Sequence, residues 1–450
     1  MSTIVIIGNG IAGSSAARYI RKLSEHRIIM ISEETLQPFS RTALMYIYMG
    51  HLKKDSTELY EDWFWEKNRI ERIQAKVTNI DTTRKCVELN NGSELHYDKL
   101  IIASGSKSNK FGWKGQDLIG VQGLYHLKDL ESMESFSKGL KRAVIVGGGL
   151  IGIEMAEMFA SRGIAVTFLV RESNFWNNII PEEESLMVSR HIREHHIDLQ
   201  LGTELQEIIG DENGKVCAII NSKGERIECG FVGLTVGVSP NIPSFSPADG
   251  IAVNRGVLVD EYLTTTNPDI YAIGDCAEIK QPETGRRPIE AIWYTGRMMG
   301  QTVAHTICGK QTKYKPRLWF NSAKFFDIEY QVYGTVPAKQ TEGIESLYWE
   351  HPDGKKSIRI CYSTAKGNPV VGFNLMGIRY RHEVCEKWIL ENTPLEDVLT
   401  NLSLTNFDPE FFDMYETYLI RQYNTTINQK ITLHSDRNLN AVRRFLNKFA

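Results

Sequence analysis

Residues 4–13 read Ile4-Val5-Ile6-Ile7-Gly8-Asn9-Gly10-Ile11-Ala12-Gly13. Four apolar, β-branched residues in a row suit a strand buried on both faces of a parallel sheet. The glycines that follow are spaced G-x-G-x-x-G, and each has a physical task. Gly8 permits the tight turn, Gly10 lets backbone approach a pyrophosphate, and Gly13 lets the next helix pack closely on the strand. Residues 14–20, Ser14-Ser15-Ala16-Ala17-Arg18-Tyr19-Ile20, continue as a helix of small and apolar residues. Its N-terminus presents N–H groups and partial positive charge to phosphates. A second strand, Arg27 to Ser32, ends at Glu33 and Glu34, twenty residues beyond Gly13. A carboxylate there accepts hydrogen bonds from ribose hydroxyls. The glycine spacing alone is a weak signal; flanking strands, helix and acid together make it a dinucleotide cradle.

Working outward, the pattern recurs. Ala143-Val144-Ile145-Val146 leads into Gly147-Gly148-Gly149-Leu150-Ile151-Gly152, a helix over 153–161 and a strand over 165–170. Two cradles are far more specific than one, because each needs strand, loop and helix to agree. One suits a bound redox nucleotide and the other a diffusible one. Three further strand ends carry small residues or an acid: Ala103-Ser104-Gly105, the run 231–237 ending at Gly237, and Ile270 to Gly274-Asp275. Open α/β sheets bind ligands at such carboxyl ends.

Composition bounds the rest. Four hundred and fifty residues suggest about three domains. Hydrophobic and charged fractions of 42% and 24% are those of a folded globular chain, not a disordered one. The net charge of −3 argues against a nucleic-acid binder. The N-terminus lacks the pattern of a cleaved leader, and no stretch reaches the ~18 apolar residues a membrane span needs. Seven scattered cysteines with no C-x-x-C pair fit a reducing cytoplasm better than a disulfide framework or zinc site.

Together these segments resemble the two-dinucleotide-binding-domain flavoproteins, the FAD-dependent pyridine-nucleotide oxidoreductases. The resemblance is greatest to the branch of rubredoxin, ferredoxin and nitrite reductase-type NAD(P)H reductases. It covers residues 1–330 and thins afterward. It implies an α/β fold with two Rossmann-like dinucleotide-binding domains plus a C-terminal α+β interface domain. The FAD domain would span 1–112 and 250–312, the NAD(P) domain 113–249, and the interface domain with its helical tail 313–450. For FAD it implies contacts from Gly8, Gly10, Ile11, Ala12, Gly13, Glu33, Glu34, Arg41, Val77, Ala103, Ser104, Gly105, Gly274, Asp275, Glu290, Ala291 and Ile292. For NAD(P) it implies Gly147, Gly149, Leu150, Ile151, Gly152, Arg171 and Gly237. Glu154 would lie near the contact of nicotinamide and flavin. Trp293 opens the helix whose N-terminus faces the flavin, where positive potential stabilises an anionic reduced ring.

The disulfide reductases of this superfamily carry a redox cysteine in the stretch matching residues 38–50, and here there is none: Thr42 stands in its place. A threonine hydroxyl forms no thiolate, so a thiol relay is disfavoured. Cys276, beside Asp275, reads as a small residue packed at a crowded strand end. Tyr46 and Tyr48 either shield the flavin or pack. At the end of the strand 165–170, Val170 replaces the acid that NAD-specific relatives use, and Arg171 follows. That leans slightly toward NADPH, against which Glu172 stands one residue on, so the expectation is NAD(P)H.

His191, His195 and His196 form a metal-like cluster, two of them at i, i+4. No third ligand is evident and arginines intervene, so the run reads as a solvated helix and no metal is expected. Residues 204–232 read as an antiparallel meander. Five short strands are expected over 319–376, then helices over 383–390 and 411–423. The last segment, 435–450, carries Leu439, Val442, Leu446 and Phe449 on one helical face and Arg443, Arg444 and Lys448 elsewhere. It reads as a docked helix, with weak membrane-surface contact as the alternative.

The expectation is an FAD-dependent NAD(P)H oxidoreductase, cytoplasmic, monomeric or homodimeric, delivering electrons to a small rubredoxin- or ferredoxin-type protein. NADH:quinone reductase, NADH oxidase and a flavin-binding redox-sensing interaction protein are the alternatives.

Overall fold

The structure, a computed structural model, describes residues 1–244, 250–407, 413–427 and 431–433. The amphipathic segment 435–450 lies outside the described residues. By proximity the chain forms two compact units, Met1–Gly147 with Met158–Val166 and Leu205–Pro316, and Gly148–Glu157 with Thr167–Glu204 and Arg317–Ala450. The boundary falls inside the second glycine loop.

The first unit is built on a five-stranded parallel sheet in the order Ile270–Ala272, Lys99–Ile102, Thr3–Ile7, Arg27–Ser32, Ile70–Gln74. Ile6 sits opposite Met30 on one side and Ile101 on the other. The strands at 3–7 and 99–102 are almost wholly buried, which is why they are apolar runs without alternation. Chain order reverses between these two strands, and a crevice at such a switch point is where doubly wound sheets bind nucleotides. Helices Ile11–Leu23 and Trp293–Ile307 pack on each other. Gly300 permits it, because a Cβ there would lie 2.5 Å from Ala12 O. An antiparallel meander, Val77–Asp81, Cys86–Leu89 and Glu94–His96, extends the core through Ile80, Val87 and Leu89.

The same unit holds the parallel ladder of Arg142–Val146, Phe231–Leu234 and Val121–Gln122. The expected meander is present as Leu205–Gly210, Val216–Asn221 and Arg226–Glu228.

In the second unit, Ala165–Val170 pairs in parallel with Asp198–Leu201 through residues 167–170, and helix Glu182–Glu194 connects them. A five-stranded antiparallel sheet follows, ordered Phe320–Phe325, Ile328–Gly334, Val370–Met376, Ser357–Ser363, Ile344–Glu350. Helix His382–Leu390 packs against the strands at 370–376 and 328–334. Cys385, Trp388, Leu395 and Leu419 fill the layer between sheet and helices. Buried Glu184 accepts from Arg359 Nε at 2.7 Å and Asn374 Nδ2 at 3.1 Å, fastening its helix to this sheet. Among the described residues, no helix is long and apolar enough to cross a membrane.

Candidate functional site

The first glycine loop leaves its strand through a left-handed turn, φ +107° at Gly8. A Cβ on Gly8 would lie 2.1 Å from Ala103 O, and one on Gly13 2.0 Å from Gly8 O. Both positions are closed to any side chain. At Gly10 a Cβ would meet nothing within 4 Å. The loop is therefore packed on its protein side and open on the side a ligand would take. Ser14 N–H donates to Gly10 O at 2.9 Å, so the helix begins directly at the loop. Asn9 Nδ2 donates to Thr35 O at 2.7 Å and holds the loop beside the strand end that carries Glu33.

Glu33 is exposed there, with Glu34 half-buried beside it. Glu34 is occupied by protein: Arg41 Nη2 lies 2.7 Å from Oε2, Leu127 N–H donates to Oε1 at 2.5 Å, and His126 Nδ1 is 3.5 Å away. Burial works against its ionisation, but the His126 and Arg41 contacts and the N–H of Leu127 outweigh it and hold the carboxyl at about 2. The Arg41 guanidinium lies over the Tyr125 ring, 4.5 Å from the centroid.

Tyr125 extends the cluster to the far strand. Ser106 N–H donates to its hydroxyl oxygen at 2.8 Å, and the hydroxyl donates to Asp275 Oδ2 at 3.3 Å. Ser106 Oγ also donates to Asp275, at 3.1 Å. Burial raises the Asp275 carboxyl against these donors. Gly274, at φ +71°, and Gly105, at φ +72°, make the two turns; a Cβ on Gly105 would lie 2.8 Å from the Tyr125 oxygen. Tyr125 and Ser106 escaped the sequence reading. Tyr125 lies in a connecting segment and Ser106 opens the short strand Ser106–Ser108, neither with a spacing pattern, and only the turn at Gly105 hints at them. Ala103 and Ser104 lie at the same strand end, where Ser104 Oγ donates to the Asn241 carbonyl. Val77 is half-buried against the sheet core.

Helix Trp293–Ile307 starts one residue after Ile292, its N-cap, and Trp293 is 38% exposed. Just before it, Glu290 is held by Arg286 through two contacts of 2.6 Å, and Ala291 is exposed. Tyr48 is buried under the Arg162 guanidinium, 3.5 Å from its ring centroid. It packs. Tyr46 stays half-buried.

The second loop repeats the first. Gly147 has φ +111°, a Cβ there would lie 2.7 Å from Thr235 O, and Gly149 has nothing within 4 Å. Ile153 N–H donates to Gly149 O at 3.2 Å, as Ser14 does to Gly10. Leu150 and Ile151 open helix Leu150–Ser161, which buries Gly152. Glu154, one turn into that helix, is pushed up to about 7 by burial and then by the Glu157 carboxylate. Arg171 is largely exposed and its Nε pairs with Glu172 Oε1 at 2.8 Å. Gly237 takes φ +87°.

All seven cysteines are free thiols. Cys276 is fully buried, its Sγ 3.4 Å from Ile102 O and 3.3 Å from Ile273 O, and burial raises its pKa. Thr42 is exposed, its hydroxyl 3.0 Å from Ser40 Oγ.

Residues 2–305 match the pyridine nucleotide-disulphide oxidoreductase family. The chain belongs to that family. Its cofactors are FAD and NAD(P)H, and it is an NAD(P)H-dependent flavin oxidoreductase. The open cradle at Gly10, with closed backbone behind it and the Asp275 carboxylate at a neighbouring strand end, fits such a nucleotide. Rubredoxin-NAD(+) reductase of Ectopseudomonas oleovorans is 28% identical over 321 residues, 70% of this chain and 83% of the relative. The nitric oxide reductase FlRd-NAD(+) reductase of Salmonella typhimurium is 30% identical, over 61% of this chain and 72% of its own. In fold, the chain is similar to a ferredoxin reductase from Rhodopseudomonas palustris, with a TM-score of 0.75 at 23% identity, covering 83% and 91% of the two chains. An NAD-dependent persulfide reductase from A. fulgidus superposes with a TM-score of 0.82 at 23% identity, covering 95% and 83%.

Proposed function

We propose that this chain draws electrons from NAD(P)H through FAD and hands them to a small electron-carrier protein of the rubredoxin or ferredoxin type, in a reducing cytoplasm. The observation that carries the reading is the repeated cradle, φ +107° and +111° at two corresponding glycines, in a chain whose cysteines are all single free thiols. Relatives named as rubredoxin-NAD(+) reductase and as ferredoxin--NAD(+) reductase components support the choice of acceptor.

FAD, when bound, takes two electrons together and releases them singly, as a one-electron carrier requires. NAD(P)H then leaves as NAD(P)+ with one proton released, and two carrier molecules are each reduced once. The residues here bind and orient. The N–H groups behind Gly8–Gly13 would hold the FAD pyrophosphate, Glu33 would accept from its ribose, and Asp275 would hold its ribityl side. The N-terminus of the Trp293 helix would offer N–H groups and positive potential to the flavin. Gly147–Gly152 takes the nicotinamide nucleotide, with Arg171 at its adenosine end.

Anaerobic stopped-flow mixing tests this. NADH or NADPH should bleach the flavin band, and a rubredoxin or ferredoxin should restore it faster than oxygen or a soluble quinone does. No bleaching with either nucleotide defeats the reading. Faster recovery with oxygen favours an oxidase, the activity named in a relative from Methanocaldococcus jannaschii.

A further inference from the structure

The second unit brings together three groups that lie far apart in sequence. His191 is on helix Glu182–Glu194 and His195 is the residue that ends it. Asp327 sits in the turn joining strands Phe320–Phe325 and Ile328–Gly334. His191 Nε2 is 2.5 Å from Asp327 Oδ1, His195 Nε2 is 3.0 Å from the same oxygen, and the two Nε2 atoms are 3.2 Å apart. The third ligand that the histidine spacing lacked is thus an aspartate 132 residues beyond His195.

Three ligand-type atoms from separate segments converge on one point. His191 Nδ1 is 3.2 Å from Glu194 Oε2, and an ionised carboxylate only accepts, so Nδ1 carries the proton. In a neutral ring Nε2 is then a lone pair, aimed at a carboxylate oxygen that is also an acceptor. His195 Nε2 supplies at most one N–H to the two of them. His191 is only 1% exposed, so its ring is held at this convergence rather than turned to solvent. Lys355 Nζ is 3.4 Å from the other oxygen, Oδ2, and does not meet the contact at Oδ1.

The geometry points to a zinc-class divalent cation site made by His191 Nε2, His195 Nε2 and Asp327 Oδ1, with water in a fourth position. Two imidazoles and a carboxylate suit zinc-like ions, whereas magnesium and calcium prefer all-oxygen sets. Zinc bonds of about 2.0–2.2 Å place tetrahedral ligands about 3.3 Å apart. Two of the three separations are already near that, and the exposed Asp327 side chain has room to open the third. Glu194 behind His191 is the outer carboxylate that fixes the tautomer of a metal-binding histidine. Phe326, buried, stacks on the His195 ring at 4.2 Å and holds its orientation. The ion would tie the end of the helix to the hairpin turn of the same unit.

Tag-free, EDTA-treated holoenzyme titrated with Co2+ is the test. One equivalent should bind with the visible absorption of a four-coordinate nitrogen–oxygen site, and Zn2+ should displace it. His195→Ala and Asp327→Asn, at exposed positions and checked for native circular dichroism and flavin content, should each weaken binding roughly 100-fold, and Glu194→Gln about tenfold. Failure to bind a stoichiometric ion overturns the site. So does equal binding by the two ligand variants, or a Co2+–thiolate charge-transfer band, which would assign the ion to a cysteine. None of these outcomes depends on which electron acceptor the enzyme uses.

Discussion

Glu34 and Glu154 are carboxylates on opposite sides of the ordinary range, and each makes a prediction. Glu34 is held at about 2 by its contacts to His126, Arg41 and Leu127, against the burial that opposes ionisation. Its folded value is below its unfolded one, so its contribution is complete above about pH 4.5 and is lost as pH falls toward 2. Glu34→Gln should cost about 2 kcal/mol at pH 6 and only about 0.5 kcal/mol at pH 2.5, measured by urea unfolding at both. Glu154 is the reverse case. Its folded value of about 7 is raised, so the ionised form costs stability that grows from about pH 4.5 and levels off above 7. Glu154→Gln should therefore be neutral at pH 4 and stabilising by about 2 kcal/mol at pH 8. If the carboxyl stands beside the nicotinamide, the rate of flavin bleaching should also show an inflection near pH 7 that Glu154→Gln removes. The sequence announced both acids by position, one at a strand end and one after a glycine loop. Their opposite electrostatics were not legible, because Leu127 and His126 reach Glu34 from about ninety residues away.

At the scale of elements, the glycine loops separate folding from binding. Gly8 is closed by the Ala103 carbonyl at 2.1 Å and lies at φ +107°, so Gly8→Ala must displace the strand end and should abolish soluble, folded protein. Gly10 has ordinary φ, −62°, and open space where its Cβ would stand. Gly10→Ala should keep the secondary structure of the apoprotein while losing bound FAD, seen as a normal far-ultraviolet spectrum from a colourless or weakly yellow preparation. A variant that folds and stays fully yellow would place the pyrophosphate elsewhere. These loops were readable because strand, turn and helix all depend on neighbours within about twenty residues. The antiparallel meander at 205–228 and the C-terminal strands were readable for the same reason, through alternation and turn residues. The links from Tyr125 and Ser106 to Asp275, and between Asp327 and the two histidines, were not. They join residues 132 to 169 positions apart, and no local spacing encodes such a meeting.

Over the whole molecule, sulfur is present without a redox pair. A family that includes disulphide reductases is represented here by a chain with threonine at the expected cysteine, no C-x-x-C pair and seven unpaired thiols. Five of those thiols are buried, and only Cys217 and Cys308 are partly open to solvent. Burial raises the pKa of Cys276, the thiol nearest Asp275 in sequence, so it stays protonated and unreactive at neutral pH. If electrons pass from NAD(P)H to flavin and outward with no thiol between, alkylation should be without consequence. N-ethylmaleimide should add at most two groups to the native holoenzyme, at Cys217 and Cys308, by mass spectrometry. The rate of flavin bleaching and the turnover with a carrier protein should both be unchanged, as should the insensitivity of NAD(P)H-reduced enzyme to arsenite, which traps dithiols. Loss of carrier turnover on alkylation, with flavin bleaching intact, would place a thiol on the outward path and make this chain a sulfur-relay enzyme despite its Thr42.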